Sequence, residues 1–452
     1  MANSVSVIIP VRNSADTLRR CLQSLHQSTF EPLECIVVDD GSNDSSATVA
    51  KEMGARVIST RDSQGPAKAR NLGANSARGS ILFFIDSDVC VYPSTLRQLV
   101  AAFDEDPGLD ALIGSYDDSP ASPDFLSQYK NLMNCFVHQS GRREASTFWS
   151  GCGAIRREVF FEHSGFDESY GRPAIEDIEL GYRLVQNKRK VMLDPDLQVK
   201  HLKRWTFWNL VKTDILDRGI PWTELILRDQ NLPNDLNLQL SQRVSVALVY
   251  LLVGFAAVCA VYWRGYFLVP LFALLFFLLG RYWLDGSHSR SRSALVCMTL
   301  GVLAIVALAY QHHMIGLISP VVLGYSLLFI RHRYALSNGP EAGWGRLATG
   351  LLLGLCLLLL LTFLPAHPLI FAFFSVLALI IILNNQFYLF LAGKHGRVFA
   401  LAAIPFHLLY HFYNGISFAV GLCRFSFRVV FGKVTPPRSA EANSQGKTSA
   451  KH

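Results

Sequence analysis

The chain has 452 residues, a formal net charge of +7 and a hydrophobic content of 50%. The charge is uneven: residues 1–243 hold 27 Lys and Arg against 32 Asp and Glu, whereas residues 244–452 hold 15 against 3. The basic excess therefore lies between long apolar stretches, which excludes a nucleic-acid signature and fits positive charge placed beside membrane spans. This length predicts two or more domains. The nine cysteines are scattered without a Cys-x-x-Cys pair, so neither a disulfide framework nor a zinc site is expected. Cys259, Cys297, Cys356 and Cys423 lie in or beside apolar stretches, where a thiol behaves as a small hydrophobe. Met1-Ala2-Asn3-Ser4-Val5 has no basic start and no long apolar segment. No signal peptide is expected, and the front half is placed in a reducing cytosol.

The first predicted element is a strand at Val5–Pro10, followed by a helix that Ser14 can cap, with Leu18, Leu22 and Leu25 on one face. A second strand from Glu34 ends in Asp39-Asp40-Gly41-Ser42. A helix around Ser46–Met53 leads to a third strand at Arg56–Ser59, and Pro66 opens another helix reaching roughly Ala77. Ile81-Leu82-Phe83-Phe84-Ile85 then reads as a strand buried on both faces. Alternation of this kind predicts an α/β domain, a mostly parallel sheet with helices on both faces.

Two of these strands end in acids, Asp39/Asp40 and Asp86-Ser87-Asp88. Strand ends of an open α/β sheet converge on one ligand-binding edge. Hard cations need only one or two carboxylates when phosphates supply the rest, so the Asp-x-Asp can hold a metal–diphosphate. Read alone, it is equally a turn rich in Asp and Ser.

Val38-Asp39-Asp40-Gly41-Ser42, Ala69-Arg70-Asn71-x-Gly73 and Phe84-Ile85-Asp86-Ser87-Asp88 together resemble the nucleotide-binding half of the inverting family-2 glycosyltransferases. The resemblance covers residues 5 to about 205 and implies the GT-A fold over residues 1–200. It implies that Asp40 accepts from the nucleotide base beside Pro10 and Arg12, and that Arg70 faces base or phosphate. Asp86 would lie near ribose and metal, Asp88 would bind the metal directly, and Ser87 would lie between them. Asp39 is either part of that site or a turn residue. Ser150-Gly151-Cys152-Gly153 resembles the family's acceptor-side loop, ahead of a helix starting near Glu158. In Glu176-Asp177, Asp177 would deprotonate an acceptor hydroxyl and Glu176 would orient or bind the acceptor. Acids opening a helix also have a plain account in the helix dipole. A base argues against transfer onto a polyprenyl phosphate, whose oxygen is already ionised.

Val191–Asp194 is the last predicted strand of the domain. His201 is a candidate further metal ligand, and His201-Leu202-Lys203-Arg204-Trp205 resembles the Gln-x-x-Arg-Trp motif of processive polysaccharide synthases with His in place of Gln. Arg204 and Trp205 are candidate acceptor contacts, Trp205 by stacking on a sugar. Implied cofactors and partners are Mn2+ or Mg2+, a UDP- or GDP-sugar donor and a lipid or lipid-linked glycan acceptor, with no nucleic acid.

Residues 201–243 read as amphipathic and interfacial, with Trp205, Trp208, Val211 and Ile215 on one face and Arg204, Lys212 and Arg218 placed for lipid headgroups. Residues 244–435 are predicted to be an all-α transmembrane domain. Its apolar segments lie near 244–263, 266–284, 294–310, 314–330, 347–364, 367–392 and 398–423, most near or above the ~20 residues a span needs. Basic residues in 285–293, 331–346 and 393–397 place these connections inside with the catalytic half. The last segment holds Pro405, His407, His411 and Asn414, so six spans plus a re-entrant or interfacial helix are expected, with seven as the alternative. His407 and His411 are either a ligand pair or face a polar groove. Residues 436–452 read as a disordered tail. The expectation is a multi-pass inner-membrane inverting glycosyltransferase with a cytoplasmic catalytic domain. The rivals are a processive synthase, a polyprenyl-phosphate sugar synthase and a non-catalytic scaffold.

Overall fold

The computed structural model describes residues 3–262 and 368–432. Its strands are β1 (Val5–Val11), β2 (Glu34–Asp39), β3 (Arg56–Ser59), β4 (Ile81–Ile85), β5 (Val89–Val91), β6 (Ala111–Tyr116), β7 (Cys152–Arg156) and β8 (Val191–His201). They form one sheet in the order β3-β2-β1-β4-β7-β6-β8-β5. Between them run α1 (Ala15–His26), α2 (Ser46–Glu52), α3 (Pro66–Ser76), α4 (Thr95–Glu105), α5 (Phe125–Gln139), α6 (Arg157–Glu162) and α7 (Glu176–Gln186).

Strand side chains alternate between the faces of a sheet, and both faces here are covered. Ile8, Leu82 and Phe84 join a buried cluster with Ala67 and Ala74 of α3, Phe160 of α6 and Leu180 and Leu184 of α7. Val7, Ile9, Phe83 and Ile85, on the opposite face, are also fully buried. This two-sided burial explains the unbroken apolar run of β4.

The sheet is mixed rather than mostly parallel. Parallel pairing holds from β3 through β2 and β1 to β4, and again between β6 and β8. β7 runs antiparallel to both β4 and β6, and β5 runs antiparallel to β8. The strand–helix alternation that predicts parallel order stops at β4. Sequence periodicity assigned no element to residues 92–149, which hold α4, β6 and α5. Two smaller expectations also change. Ser14 precedes α1 without a side-chain cap bond; Asp44 instead accepts from Ala15 N at 3.0 Å. Helical spacing puts Ile178, Tyr182 and Val185 on one face of α7, yet Val185 is exposed.

β8 extends to His201 instead of ending near Asp194. Proline has no N–H for a ladder and is tolerated at irregularities. The β6–β8 register accordingly shifts between Ile113/Leu193 and Ser115/Gln198, across Pro195. Past that shift, β8 continues far enough for His201 to pair with Val89 of β5.

Residues 207–229 form α8 (Phe207–Lys212), a π-helical turn (Thr213–Gly219) and α9 (Ile220–Asp229). They do not present the single aromatic face expected. Trp205 precedes α8 and is buried, whereas Trp208 is 77% exposed. Lys130 of α5 grips the π-turn through Asp214 at 2.7 and 2.9 Å.

The remaining α-helices among the described residues are α10 (Leu240–Tyr262), α11 (Pro368–Leu383) and α12 (Asn385–Val430). The chain divides into a unit of Met1–Arg243 with Tyr413–His452 and a second unit, Val244–Phe412. In the first, Tyr413 donates to Asp214 at 2.6 Å, and Arg424 and Arg428 pair with Glu224 of α9 at 3.0 and 2.8 Å. In the second, Val249, Leu252, Phe373 and Ile380 form a small apolar core. There Asn384 donates to Ser245 at 2.8 Å.

Among the described residues, two helices are long and apolar enough to cross a membrane, Leu240–Val258 and Asn385–Val430. The predicted segment 367–392 is broken at Asn384 into α11 and the start of α12. The expected connection at 393–397 is a kink inside α12, where Gly396 has φ 83. Predicted segments 266–284, 294–310, 314–330 and 347–364, their basic connections and the tail lie outside the described residues.

Candidate active site

Arg70 is the centre of the sheet's carboxyl edge. Small residues on α3 bring that helix close to the sheet, and Arg70 becomes buried. Its Nη2 donates to Asp86 at 2.7 Å and its Nη1 to Glu176 at 2.7 Å. Phe166 lies against the guanidinium, 5.7 Å from its ring centroid. Burial would lower the Arg70 pKa, but Asp86, then Glu176 and Asp177, raise it above the ordinary value. Burial pushes the Glu176 carboxyl up; Arg70 opposes this and neighbouring Asp177 adds to it. Arg70 was expected to face base or phosphate, yet both terminal nitrogens are committed to protein carboxylates. Only its buried Nε lacks a partner.

Asp177 sits beside Glu176 at the start of α7. Its Oδ2 accepts from Ser150 N at 3.0 Å and Ser150 Oγ at 2.9 Å. Its Oδ1 accepts from Ile178 N at 2.8 Å. One turn along α7, a Cβ at Gly181 would stand 2.0 Å from Phe148 N. The helix thus touches the 147–149 backbone directly, and that contact brings Asp177 to Ser150. Gly181→Ala should displace α7, cost about 1–3 kcal/mol as overpacking does and reduce turnover. A thermal melt and an activity assay check both, and an unchanged pair of values would remove this account of Asp177 placement.

The acidic turn follows β4, with Val89 N donating to Asp86 O at 3.0 Å and Ser87 between the two acids. Asp88 faces His201 at 3.5 Å, Oδ2 to Nε2. Burial would raise the Asp88 carboxyl, but His201 and then Lys203 hold it below the usual range. The His201 ring stacks on Tyr116, with centroids 4.2 Å apart. Asp86, expected near the metal, has one oxygen on Arg70 and a side chain 36% exposed. Among the described residues, no group of three or more His, Cys, Asp and Glu side chains converges into a metal cage. Asp88 and His201 nevertheless make a carboxylate–imidazole pair, a donor set suited to a divalent ion whose other ligands come from phosphate oxygens.

The nucleotide-side residues divide. Asp39 accepts from Ser42 N at 3.1 Å in the turn after β2. Both Asp40 oxygens hold the following loop, accepting from Ser63 Oγ at 2.8 Å, Gln64 N at 2.8 Å and Gly65 N at 3.0 Å. Pro10 pairs with Val38, one residue before the β1–β2 ladder ends at Val11 and Asp39, and Arg12 is exposed.

The acceptor-side residues divide as well. Cys152 is wholly buried inside the sheet opposite Ile85, and burial pushes its thiol up to about 12. It cannot touch an acceptor. Gly151 and Gly153 make room for Trp149: a Cβ would stand 2.7 Å from the Trp149 ring at Gly151 and 2.3 Å from Trp149 O at Gly153. Trp205 is buried, with Lys203 Nζ 4.3 Å from its ring centroid, and its N donates to Ser127 at 2.7 Å and its Nε1 to Asn131 at 3.2 Å, so its ring is not presented to solvent. Arg204 remains exposed, 3.6 Å from Asp124.

Sequence reasoning missed Ser150 and Asn131. Ser150 directly precedes the Gly-rich segment, so the signal was present in its position. Asn131 lies in a helix without a motif, and only the fold brings it to His201.

Residues 6–163 match the family described as Glycosyl transferase family 2. Uncharacterized glycosyltransferase YibD of Escherichia coli (strain K12) is 37% identical over 108 residues, 23% of this chain and 31% of that protein. The 4,4'-diaponeurosporenoate glycosyltransferase of Staphylococcus haemolyticus is 37% identical over 137 residues, 29% of this chain and 31% of that protein. The chain thus spans about a third of the length of these curated relatives. Among solved structures, mannosyltransferase PcManGT from Pyrobaculum calidifontis in complex with GDP-Man and Mn2+ aligns with 83% of this chain and 87% of its own. Its identity is 15% and its TM-score 0.38.

Proposed function

We propose that the protein is a membrane-bound inverting glycosyltransferase, moving a sugar from a UDP- or GDP-sugar to a hydroxyl of a lipid or lipid-linked glycan. The observation that carries this reading is the double grip of Arg70. One buried guanidinium holds Asp86, two residues from Asp88, and Glu176, next to Asp177. The acidic turn and the candidate base, far apart in the chain, therefore share one support.

Asp88 and His201 would hold Mn2+ or Mg2+, with Asp86 beside them. When bound, the ion neutralises charge on the departing diphosphate as a Lewis acid. Asp177, oriented by both donors of Ser150, takes the proton from the acceptor hydroxyl as its oxygen attacks the anomeric carbon. A single carboxylate with no covalent partner fits one displacement with inversion. Glu176, fixed by Arg70, orients Asp177 and the acceptor. Pro10, Arg12 and the loop anchored by Asp40 would border the nucleotide. The two apolar helices support membrane attachment, placed here in the inner membrane with the transferase domain in the cytoplasm.

The test uses membranes containing the full chain, Mn2+ or Mg2+ and a panel of radiolabelled nucleotide sugars, with product partitioned between organic and aqueous phases. Metal-dependent label should enter the organic phase and be lost in Asp88→Ala. Label in a large water-soluble polymer would replace this reading with a processive synthase. No transfer from any donor, with no metal-dependent nucleotide binding, would leave a non-catalytic scaffold.

A further inference from the structure

The hydrogen bonds around Asn131 determine which nitrogen of His201 carries a proton. Asn131 Nδ2 donates to Lys203 O at 3.2 Å. Its Oδ1 faces two ring nitrogens, His201 Nδ1 at 2.8 Å and Trp205 Nε1 at 3.2 Å. An indole N–H can only donate, so the amide orientation is settled twice over, with oxygen toward both rings. His201 Nδ1 must then be the donor. Nε2 is then the nitrogen turned toward Asp88.

That nitrogen lies 3.5 Å from Asp88 Oδ2. An imidazole ligates a metal ion only when deprotonated, and Nε2 and Oδ2 are then two donor atoms placed to share one cation. The ring cannot turn away, because Tyr116 stacks on it and β8 holds its backbone to Val89. Metal-binding histidines generally donate their second N–H to an oxygen that fixes the tautomer and raises ligand basicity. Asn131 supplies that oxygen here.

We propose that Asn131 is a positioning residue that fixes the tautomer of His201 and presents its Nε2 beside Asp88 for a divalent ion. This inference rests on the transferase reading above.

The experiment measures Mn2+ binding to the detergent-solubilised full chain by electron paramagnetic resonance, with UDP and GDP as diphosphate probes. Electron spin-echo modulation from a coordinated imidazole nitrogen is recorded alongside. Asn131→Leu should weaken Mn2+ by about 10–100-fold, the usual effect of losing such a partner. It should abolish the nitrogen modulation. Asn131→Asp keeps an acceptor for Nδ1–H and should retain both Mn2+ affinity and modulation. Trp205→Phe removes the other donor to Asn131 while sparing the His201 bond, and should also leave them intact. A Trp205→Phe loss matching that of Asn131→Leu would mean Asn131 only supports local packing, overturning the proposal. Loss in Asn131→Asp, or unchanged binding in Asn131→Leu, would overturn it as well. No Mn2+ binding by the wild-type chain would overturn it together with the transferase reading; the variant outcomes overturn it alone.

Discussion

Arg70→Met should destabilise the amino-terminal unit by about 3–5 kcal/mol, the range for removing one partner of a buried ion pair. Arg70 and Glu176 are both nearly inaccessible, with side chains 6% and 5% exposed. Without the guanidinium, Glu176 keeps its burial and the repulsion of Asp177 but loses the group that opposed both. At about 2–4 °C per kcal/mol for a unit of this size, the loss is readily seen in a thermal melt. The pH dependence has a definite sign. A carboxyl whose folded pKa is raised favours the folded state most when protonated, and that contribution is lost as pH rises through the folded value. The deficit of Arg70→Met should therefore shrink as pH falls toward the ordinary Glu value of 4.5. Glu176→Gln, which removes the buried charge, should recover part of the loss at neutral pH. A melt that is unchanged, or a deficit that grows on acidification, would show that the pair contributes little.

The parts of this site that were legible in the sequence are those encoded by short-range pattern. The apolar run 81–85 identified β4 because it is buried on both faces, and the acids after it follow from its position in an α/β sheet. The reversal of β7 was not legible, since Cys152–Arg156 reads the same in either direction and only its neighbours decide. Residues 92–149 were silent because α5 carries buried Ser127, Lys130 and Asn131 among its apolar positions, which blurs an amphipathic pattern. Those same three residues hold Trp205, Asp214 and His201. Polarity that hid the helix is thus what builds the site. Trp205 misled for a related reason: an aromatic beside basic residues reads as a surface feature, and its buried partners lie some 75 residues away in sequence. His201 depended on the β6–β8 register shift at Pro195, a feature of pairing rather than composition. Asp40 shows the limit of a resemblance, since its place in the motif was legible but its hydrogen bonds to the loop after β3 were not.

Asp177→Asn should lower kcat by about 10²–10⁴-fold, the usual worth of a positioned general base, while leaving metal–nucleotide binding near the wild-type value. The substitution is nearly isosteric, and the amide oxygen can still accept from Ser150 N, so α7 should stay in place. What disappears is the ability to take a proton. The alternative account makes the acids at the start of α7 a response to the helix dipole. Under that account Asp177→Asn would change stability by a fraction of a kcal/mol and leave turnover untouched. The two accounts therefore separate on one variant, provided stability and kcat are both measured. Glu176→Gln serves as the comparison. Its carboxylate is held by Arg70 and by Ala174 N at 3.1 Å, so it acts through position and its loss should be the smaller in kcat. Equal, large losses in both variants would mean that the pair functions as one unit around Arg70. Full activity in Asp177→Asn would remove the base from the mechanism and point to an acceptor already ionised, the polyprenyl-phosphate case. Activity lost in Asp177→Asn with donor binding intact places the chemistry at the amino end of α7, where Ser150 and Gly181 set the geometry.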